Sequence, residues 1–583
     1  MWKLAIFLTV IFMGETYAQQ LNINTVSPAQ SSNSAAPNTT IQIEFNLPVD
    51  TTSIADKIVI QGSKSSLHFF EHSTNTQLNT IYLQPYYSFL LGEKVRVTVK
   101  DSVQGLNGEA FAGYQWNFHI KPSLPTFPYF TPPTIYNQFK GIYINSADIN
   151  DDGVMDILIS YPTLKILKND GFGNFSIFQE LYDGYDKESI VFDFDLDGFK
   201  NLWVFPHFYE QGNDGFFHYD TTIYRGIAQI KDMNRDGYPD FVIGELLGIQ
   251  DSLYFIGIHY NNGQFKPLVQ IDTVVIDKGV QRIITDDFNN DGIEDIAYCT
   301  SVFPTPSGVG GHNSFRILYR SSTGDTLYRA VYNGEDFPFG DIGMPFDIQS
   351  ADFNNDGFAD ILLMTNVEDY VIFNDTQGGF NVDSPTITGG GDSYHVSNIG
   401  DASADGWLDL IYNVVIGPGE NAYTFFVHNN NAQFNTGSLI YERDTAYVYY
   451  STTGDFNNDG ALDIATTWWN GLYIHFNSEV NKINLQNGKL IKEFTLSQNY
   501  PNPFNLETAI EFFLPKPGIV ESLIYDINGK EVKRYPKTYY HTGRNKSKWN
   551  GKNNTGKEVS SGTYIWKFKT QGTERCKKII LVK

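Results

Sequence analysis

The sequence predicts an all-β chain: a β-sandwich, then a seven-bladed β-propeller, then a second β-sandwich. Three observations carry this. First, a nonapeptide rich in oxygen side chains occurs seven times, beginning at Asp148, Asp193, Asp232, Asp287, Asp352, Asp401 and Asp455. Repeats 39 to 65 residues apart signal units that cannot bury a core singly and must stack. Second, aromatic residues make up 15% of the chain, 51 residues are Gly, and sustained 3.6-residue periodicity is scarce. Third, charge reverses near the end: residues 489–583 hold 18 Lys/Arg against 8 Asp/Glu, and the rest hold 23 against 58. A chain of 583 residues accommodates several such domains. Its net charge of −25 argues against binding nucleic acid through the phosphate backbone.

Each nonapeptide reads Asp-x-(Asn/Asp/Ser)-x-Asp-Gly-x-x-(Asp/Asn). Oxygen side chains at positions 1, 3 and 5, with Gly at 6 for a sharp turn, match the first half of an EF-hand calcium loop. The second half differs, because Ile159 and Thr466 stand where an EF-hand needs Glu. The last oxygen donor comes at position 9, and β-patterned sequence follows, so each loop joins two strands. The candidate ligands are Asp148, Asn150, Asp152 and Asp156; Asp193, Asp195, Asp197 and Asn201; Asp232, Asn234, Asp236 and Asp240; Asp287, Asn289, Asp291 and Asp295. The later loops add Asp352, Asn354, Asp356 and Asp360; Asp401, Ser403, Asp405 and Asp409; and Asp455, Asn457, Asp459 and Asp463. One such loop could be a metal-free hairpin turn, since Asp, Asn and Gly suit positive φ. A turn does not need carboxylates at three of four fixed positions in every copy, so the series points to Ca2+ at up to seven sites. Ser403 makes the sixth loop the weakest candidate.

These residues resemble the FG-GAP/VCBS repeat family, the calcium-loop blades of integrin α-subunits and of many bacterial surface proteins. The resemblance spans about 124–478. Hairpins at Asn169–Phe175, Asn261–Phe265 and Gln377–Phe380 favour the VCBS-like branch, since the Phe-Gly and Gly-Ala-Pro segments of integrins are absent. It implies a propeller over 141–478. Residues 121–133 carry five prolines and suit a stiff linker. Within 122–140, a segment near 127–139 is expected to close the ring as the outer strand of the last blade, removing exposed edges.

Residues 1–18 resemble a secretory signal: Lys3, an apolar run from Leu4 to Met13, then Thr16-Tyr17-Ala18. Ten apolar residues fall short of the roughly 20 that span a bilayer. Residues 19–121 alternate as strands in Ile41–Phe45, Val95–Val99 and Trp116–Ile120, like an immunoglobulin-like module. Val26-Ser27-Pro28 and Phe45–Asp50 resemble the SbsA-type bacterial Ig-like domain. This module is expected to be an independent spacer or binding domain, with His68 and His72 on its surface. Cys299 and Cys576 fall in different domains, so disulfides do not frame the fold.

Residues 489–583 resemble the type A C-terminal sorting domain of the type IX secretion system. The matching residues run through Leu496–Asn505, Ile524–Gly529, Trp549–Asn553, Ser561–Tyr564 and Lys577–Leu581. Asn550 stands where the family usually has Asp. The resemblance implies export across both membranes of a Gram-negative-type cell, with the type IX translocon as partner and the product secreted or held at the surface.

The functional expectation is a calcium-binding surface protein that binds a glycan or protein ligand. No His-Glu-x-x-His, Gly-x-Ser-x-Gly or P-loop occurs, so no catalytic residue is named and the chain is expected not to be an enzyme. A polysaccharide-acting lyase or hydrolase on a propeller scaffold is the alternative, and a passive surface component the third reading. The ligand is expected on the face opposite the calcium loops, with Phe208, Tyr209, Phe303, Phe337 and Phe339 on insertions there.

Overall fold

The computed structural model describes residues 20–477 and 494–582 apart from short internal stretches, the longest being 182–188, 264–270, 301–313 and 334–344. The signal segment 1–18 lies outside the described residues. No α-helix occurs among them; a single 3-10 turn, Thr51–Ser53, is capped by Asp50.

The N-terminal region is a sandwich of two four-stranded antiparallel sheets. Alternation places Val95, Val97 and Val99 inward, against Ile43, Phe45, Trp116 and Phe118. Seven sheets built on four antiparallel strands follow in chain order. The first runs Tyr143–Ala147, Asp156–Ser160, Leu164–Asn169, Phe175–Leu181. Its first strand lies against the first strands of both the second sheet, Ser189–Phe192, and the last, Val448–Gly454, so the sheets form a ring. The seventh sheet takes its outer strand from Thr134–Tyr136, inside the segment singled out for closure, with Tyr136 opposite Leu472 and Thr134 opposite Ile474.

Apolar cores sit between neighbouring blades. Ile157 and Ile159 of the first pack with Phe456, Ala465 and Leu472 of the seventh. Leu362 and Val371 of the fifth pack with Leu410 and Tyr412 of the sixth. No blade buries its faces alone, which is why the repeats must close. Cys299 is buried in such a core, and burial pushes its thiol up to about 12.

One expectation fails here. Residues 206–215 are not an insertion: His207–Gln211 is the third strand of blade two. Phe208 and Tyr209 alternate across it, buried at 0% and 4% exposure against opposite neighbouring blades. They are core residues and drop out of the ligand surface. Phe303, Phe337 and Phe339 lie outside the described residues.

The C-terminal region is again a two-sheet sandwich, centred on Trp549, Trp566, Phe512 and Phe568.

Candidate cation loops and the junction above them

All seven loops share one backbone. Position 4 is left-handed in every copy: Asp151, Leu196, Arg235, Asn290, Asn355, Ala404 and Asn458 have φ between 53° and 65°. Gly153, Gly198, Gly237, Gly292, Gly357, Gly406 and Gly460 at position 6 have φ between 78° and 95°, which only Gly adopts without strain. Two left-handed residues within three positions wind the backbone around the side-chain oxygens. In the first loop, Asp152 N–H donates to Asp148 Oδ1 and Asn150 Oδ1, both at 3.1 Å, and Gly153 N–H donates to Asp148 Oδ2 at 2.8 Å. The fourth, fifth and seventh loops repeat these three bonds.

The donor set fits a hard cation. Asp193, Asp195 and Asp197 each place a carboxylate oxygen within 4.8 Å of the others. Asp193 Oδ1 and Asp232 Oδ1 are buried with no hydrogen-bond partner among the described residues. Burial, with neighbouring carboxylates adding, pushes Asp148, Asp232 and Asp455 up to about 7. Burial, offset by a backbone N–H, takes Asp352 to about 7 and Asp401 to about 6. A cation bound there would supply the missing positive charge. The sixth loop differs from the rest: Ser403 Oγ is 3.4 Å from Asp401 Oδ1, and His428 Nε2 sits 2.9 Å from Asp405 Oδ2.

The residue at position 9 has a second role that its spacing did not reveal. Asp156 Oδ2 accepts from Ile149 N–H at 3.1 Å and Oδ1 from Asn169 N–H at 2.8 Å, leaving one lone pair per oxygen for an ion. Asn169 ends the third strand, and its amide donates to the carbonyl of Phe456, position 2 of the preceding blade's loop, at 2.7 Å. The same clasp recurs round the ring: Gln211 to Ile149, Asn261 to Phe194, Arg320 to Met233, Asn374 to Phe288, Asn429 to Phe353, Asn477 to Ala402. Every loop is therefore tied to the next blade, and distortion of one loop is felt by its neighbour. Where Asn201 replaces Asp at position 9, Gln211 replaces Asn in the clasp, and Asn201 Oδ1 accepts only the Phe194 N–H, at 2.5 Å. The Asn-Gly hairpins of the sequence held the signal, but their distance from position 9 varies too much to link the two.

The N-terminal sandwich sits on this loop face. Lys94 Nζ meets Asp286 at 2.7 Å and Arg96 Nη2 meets Glu294 at 2.6 Å. Thr98 Oγ1 and Gln115 Nε2 donate to Asp232 Oδ2, a candidate ion ligand, at 3.1 and 3.4 Å. Asn33 Nδ2 donates to the Asp352 carbonyl and to Asn355 Oδ1, at 2.8 and 2.9 Å. The expected independent spacer is thus a lid on the loops, because its polar sheet face finds acidic partners there. His68, expected on the surface, is 6% exposed; its Nε2 lies 2.6 Å from Ser65 Oγ, and burial pushes it down to about 4.

Comparison with known proteins agrees at the two ends. Residues 18–120 match the bacterial Ig-like domain family, and residues 498–583 match the secretion system C-terminal sorting domain family. No curated protein matches the chain in sequence. Solved structures resemble it loosely. BBS1N, crystallised with ARL6DN, has a TM-score of 0.38 at 10% identity, covering 61% of this chain and 99% of that one. The Dos1 propeller scores 0.34 at 9%, covering 59% and 95%. PorZ of Porphyromonas gingivalis, an essential surface component of its type IX secretion system, scores 0.21 at 8%, covering 96% and 100%. The chain carries a bacterial Ig-like domain at one end and a type IX sorting domain at the other, and is a secreted or cell-surface protein.

Proposed function

We propose that this is a calcium-stabilised propeller that binds a surface glycan or protein, exported by the type IX translocon acting on residues 489–583. The observation that carries it is the common geometry of seven oxygen-lined loops, clasped blade to blade. Asp148, Asn150 and Asp152 would hold the first ion, and the equivalent residues the others, with position 9 contributing from its remaining lone pairs. A bound ion relieves the repulsion among buried carboxylates and so holds the ring rigid. Loop six, with Ser403 and a His428 contact, is the weakest site. The N-terminal sandwich covers the loop face, which leaves the opposite face for a ligand. Rigid presentation of loops is the usual way a scaffold of this kind binds.

The test is a screen of the purified mature chain against glycans and surface proteins, with calcium and with chelator. A ligand held with calcium and released by chelator supports the proposal. Turnover of a polysaccharide would instead favour an enzyme, and calcium-independent melting would remove the metal.

A further inference from the structure

The junction between the lid and the propeller holds a half-open chamber of about 300 Å³. Its walls carry Lys64, Lys94 and His119 from the sandwich, and Asn145, Ser146 and Thr452 from the inner strands of blades one and seven. No Asp or Glu lines it among the described residues. A second space of about 190 Å³ shares Ser63 and Lys94 with it and adds Arg96 and Lys231, but Asp193 and Asp232 also line it. Three basic side chains, Lys64, Lys94 and His119, therefore meet at the first space, inside a chain whose net charge is −25.

Their counter-charges are incomplete. Asp286 neutralises Lys94 and Glu294 neutralises Arg96. Glu93 lies behind Lys64, but its carboxylate is taken up by the N–H groups of Lys64, Ser65 and Leu90 and by the Ser65 hydroxyl. Lys64 Nζ itself donates to the Thr453 carbonyl, a neutral partner. No hydrogen bond or ion pair joins Lys231 Nζ among the described residues. Burial, countered only in part by Glu93, pulls the Lys64 ammonium down to about 8. His119 Nδ1 is buried without a partner. Desolvated ammonium groups are costly unless an anion faces them. The Ser146 and Thr452 hydroxyls bond each other at 2.7 Å, so the pair has one proton to offer an anion, which also reaches the Thr453 carbonyl 3.1 Å from Ser146 Oγ.

We propose that this chamber binds a small oxyanion, the sulfate or the sugar carboxylate of an acidic saccharide unit, held by Lys64 and Lys94 and oriented by the Ser146 hydroxyl, whose oxygen Thr452 holds. The volume admits one small ion or one sugar unit. Charge-assisted bonds from two ammonium groups give the affinity, and the Ser146 hydroxyl gives direction. The site rests on the lid staying seated on the loop face, which the proposed calcium binding favours.

The experiment is calorimetric titration of the full mature chain with sodium sulfate and, separately, sodium glucuronate, at constant ionic strength in calcium-containing buffer. Saturable binding of one equivalent is expected. Sulfate alone assigns a tetrahedral dianion, glucuronate alone assigns a sugar carboxylate, and both together assign the shared oxyanion chemistry; each sustains the site. Lys64→Met should weaken binding at least about tenfold, while Lys557→Met, the same charge change on an exposed lysine of the C-terminal sandwich, should leave it unchanged. Should Lys64→Met fold poorly, Ser146→Ala removes one wall hydroxyl and should weaken binding about threefold. Absence of saturable binding for both anions overturns the proposal. So does equal affinity in wild type, Lys64→Met and Ser146→Ala.

Discussion

The two sandwiches present the same strand pattern and put it to opposite uses. In Lys94–Val99, Val95, Val97 and Val99 face the core while Lys94, Arg96 and Thr98 face outward. In Gly562–Thr570, Tyr564, Trp566 and Phe568 face the core while Lys567 and Lys569 face outward. The N-terminal cations reach into another domain, where Asp286 and Glu294 are 1% and 3% exposed. The C-terminal cations pair within their own hairpin, with Glu574, at 43% exposure. Half-polar strands thus seal a junction in one sandwich and face water in the other. Burial of the partner, not the strand, decides which charges matter energetically: breaking a buried pair costs about 3–5 kcal/mol, whereas exposed pairs contribute almost nothing.

This contrast can be tested, starting with the largest effect. Deleting residues 489–583 should abolish surface delivery and trap a folded propeller in the periplasm, read by cell fractionation; normal delivery would mean the basic sandwich is not the export signal. Chelation should lower the melting temperature of the full chain by many degrees. An ion at 100 times its Kd adds about 2.7 kcal/mol per site. Hydrogen exchange should then rise in residues 20–121 together with the propeller and stay unchanged in 508–582. A lid unaffected by chelation would break the link between loops and junction.

Asp286→Ala comes next. Its carboxylate accepts from Lys94, Asn117 and Ser350. Burial alone would raise it, yet Lys94 and Ser350 hold it well below the usual carboxylate range. Removal should cost about 3–5 kcal/mol in denaturant unfolding and expose the lid to protease. Asn374→Ala, which orphans the carbonyls of Phe288 and Ala359, should cost about 1–3 kcal/mol. At the small end, Lys569→Ala in the C-terminal hairpin should leave the unfolding midpoint where it is. A large shift there would erase the distinction between the two sandwiches.

Much of the architecture was legible because it is written locally. Positions 1, 3, 5 and 6 of each loop act within six residues, so their spacing survives in the sequence. Strand alternation marked the N-terminal sandwich for the same reason, short sorting-domain motifs implied the C-terminal one, and Thr134–Tyr136 fell inside the segment expected to close the ring. The misplacement of Phe208 and Tyr209 has a physical cause: both faces of the strand pack against neighbouring blades, so His207, Phe208, Tyr209 and Glu210 show no one-sided apolar alternation. The buried His68 was misjudged because Ser65 and Glu93, which satisfy its surroundings, are distributed over 28 residues of chain.

By itself the sequence determined three β domains, seven oxygen-lined loops and the end that carries the sorting signal, since each rests on residues close together in the chain. Tertiary structure alone decided the clasps, the lid and the cationic chamber. Asn169, held by Asp156 within its own blade, reaches the Phe456 carbonyl only when the ring is closed. Lys94 and Arg96 leave the solvent only when Asp286 and Glu294, nearly two hundred residues away, come to meet them. Alternation records which face of a strand is polar; whether that face meets water or a buried carboxylate is settled by what packs against it.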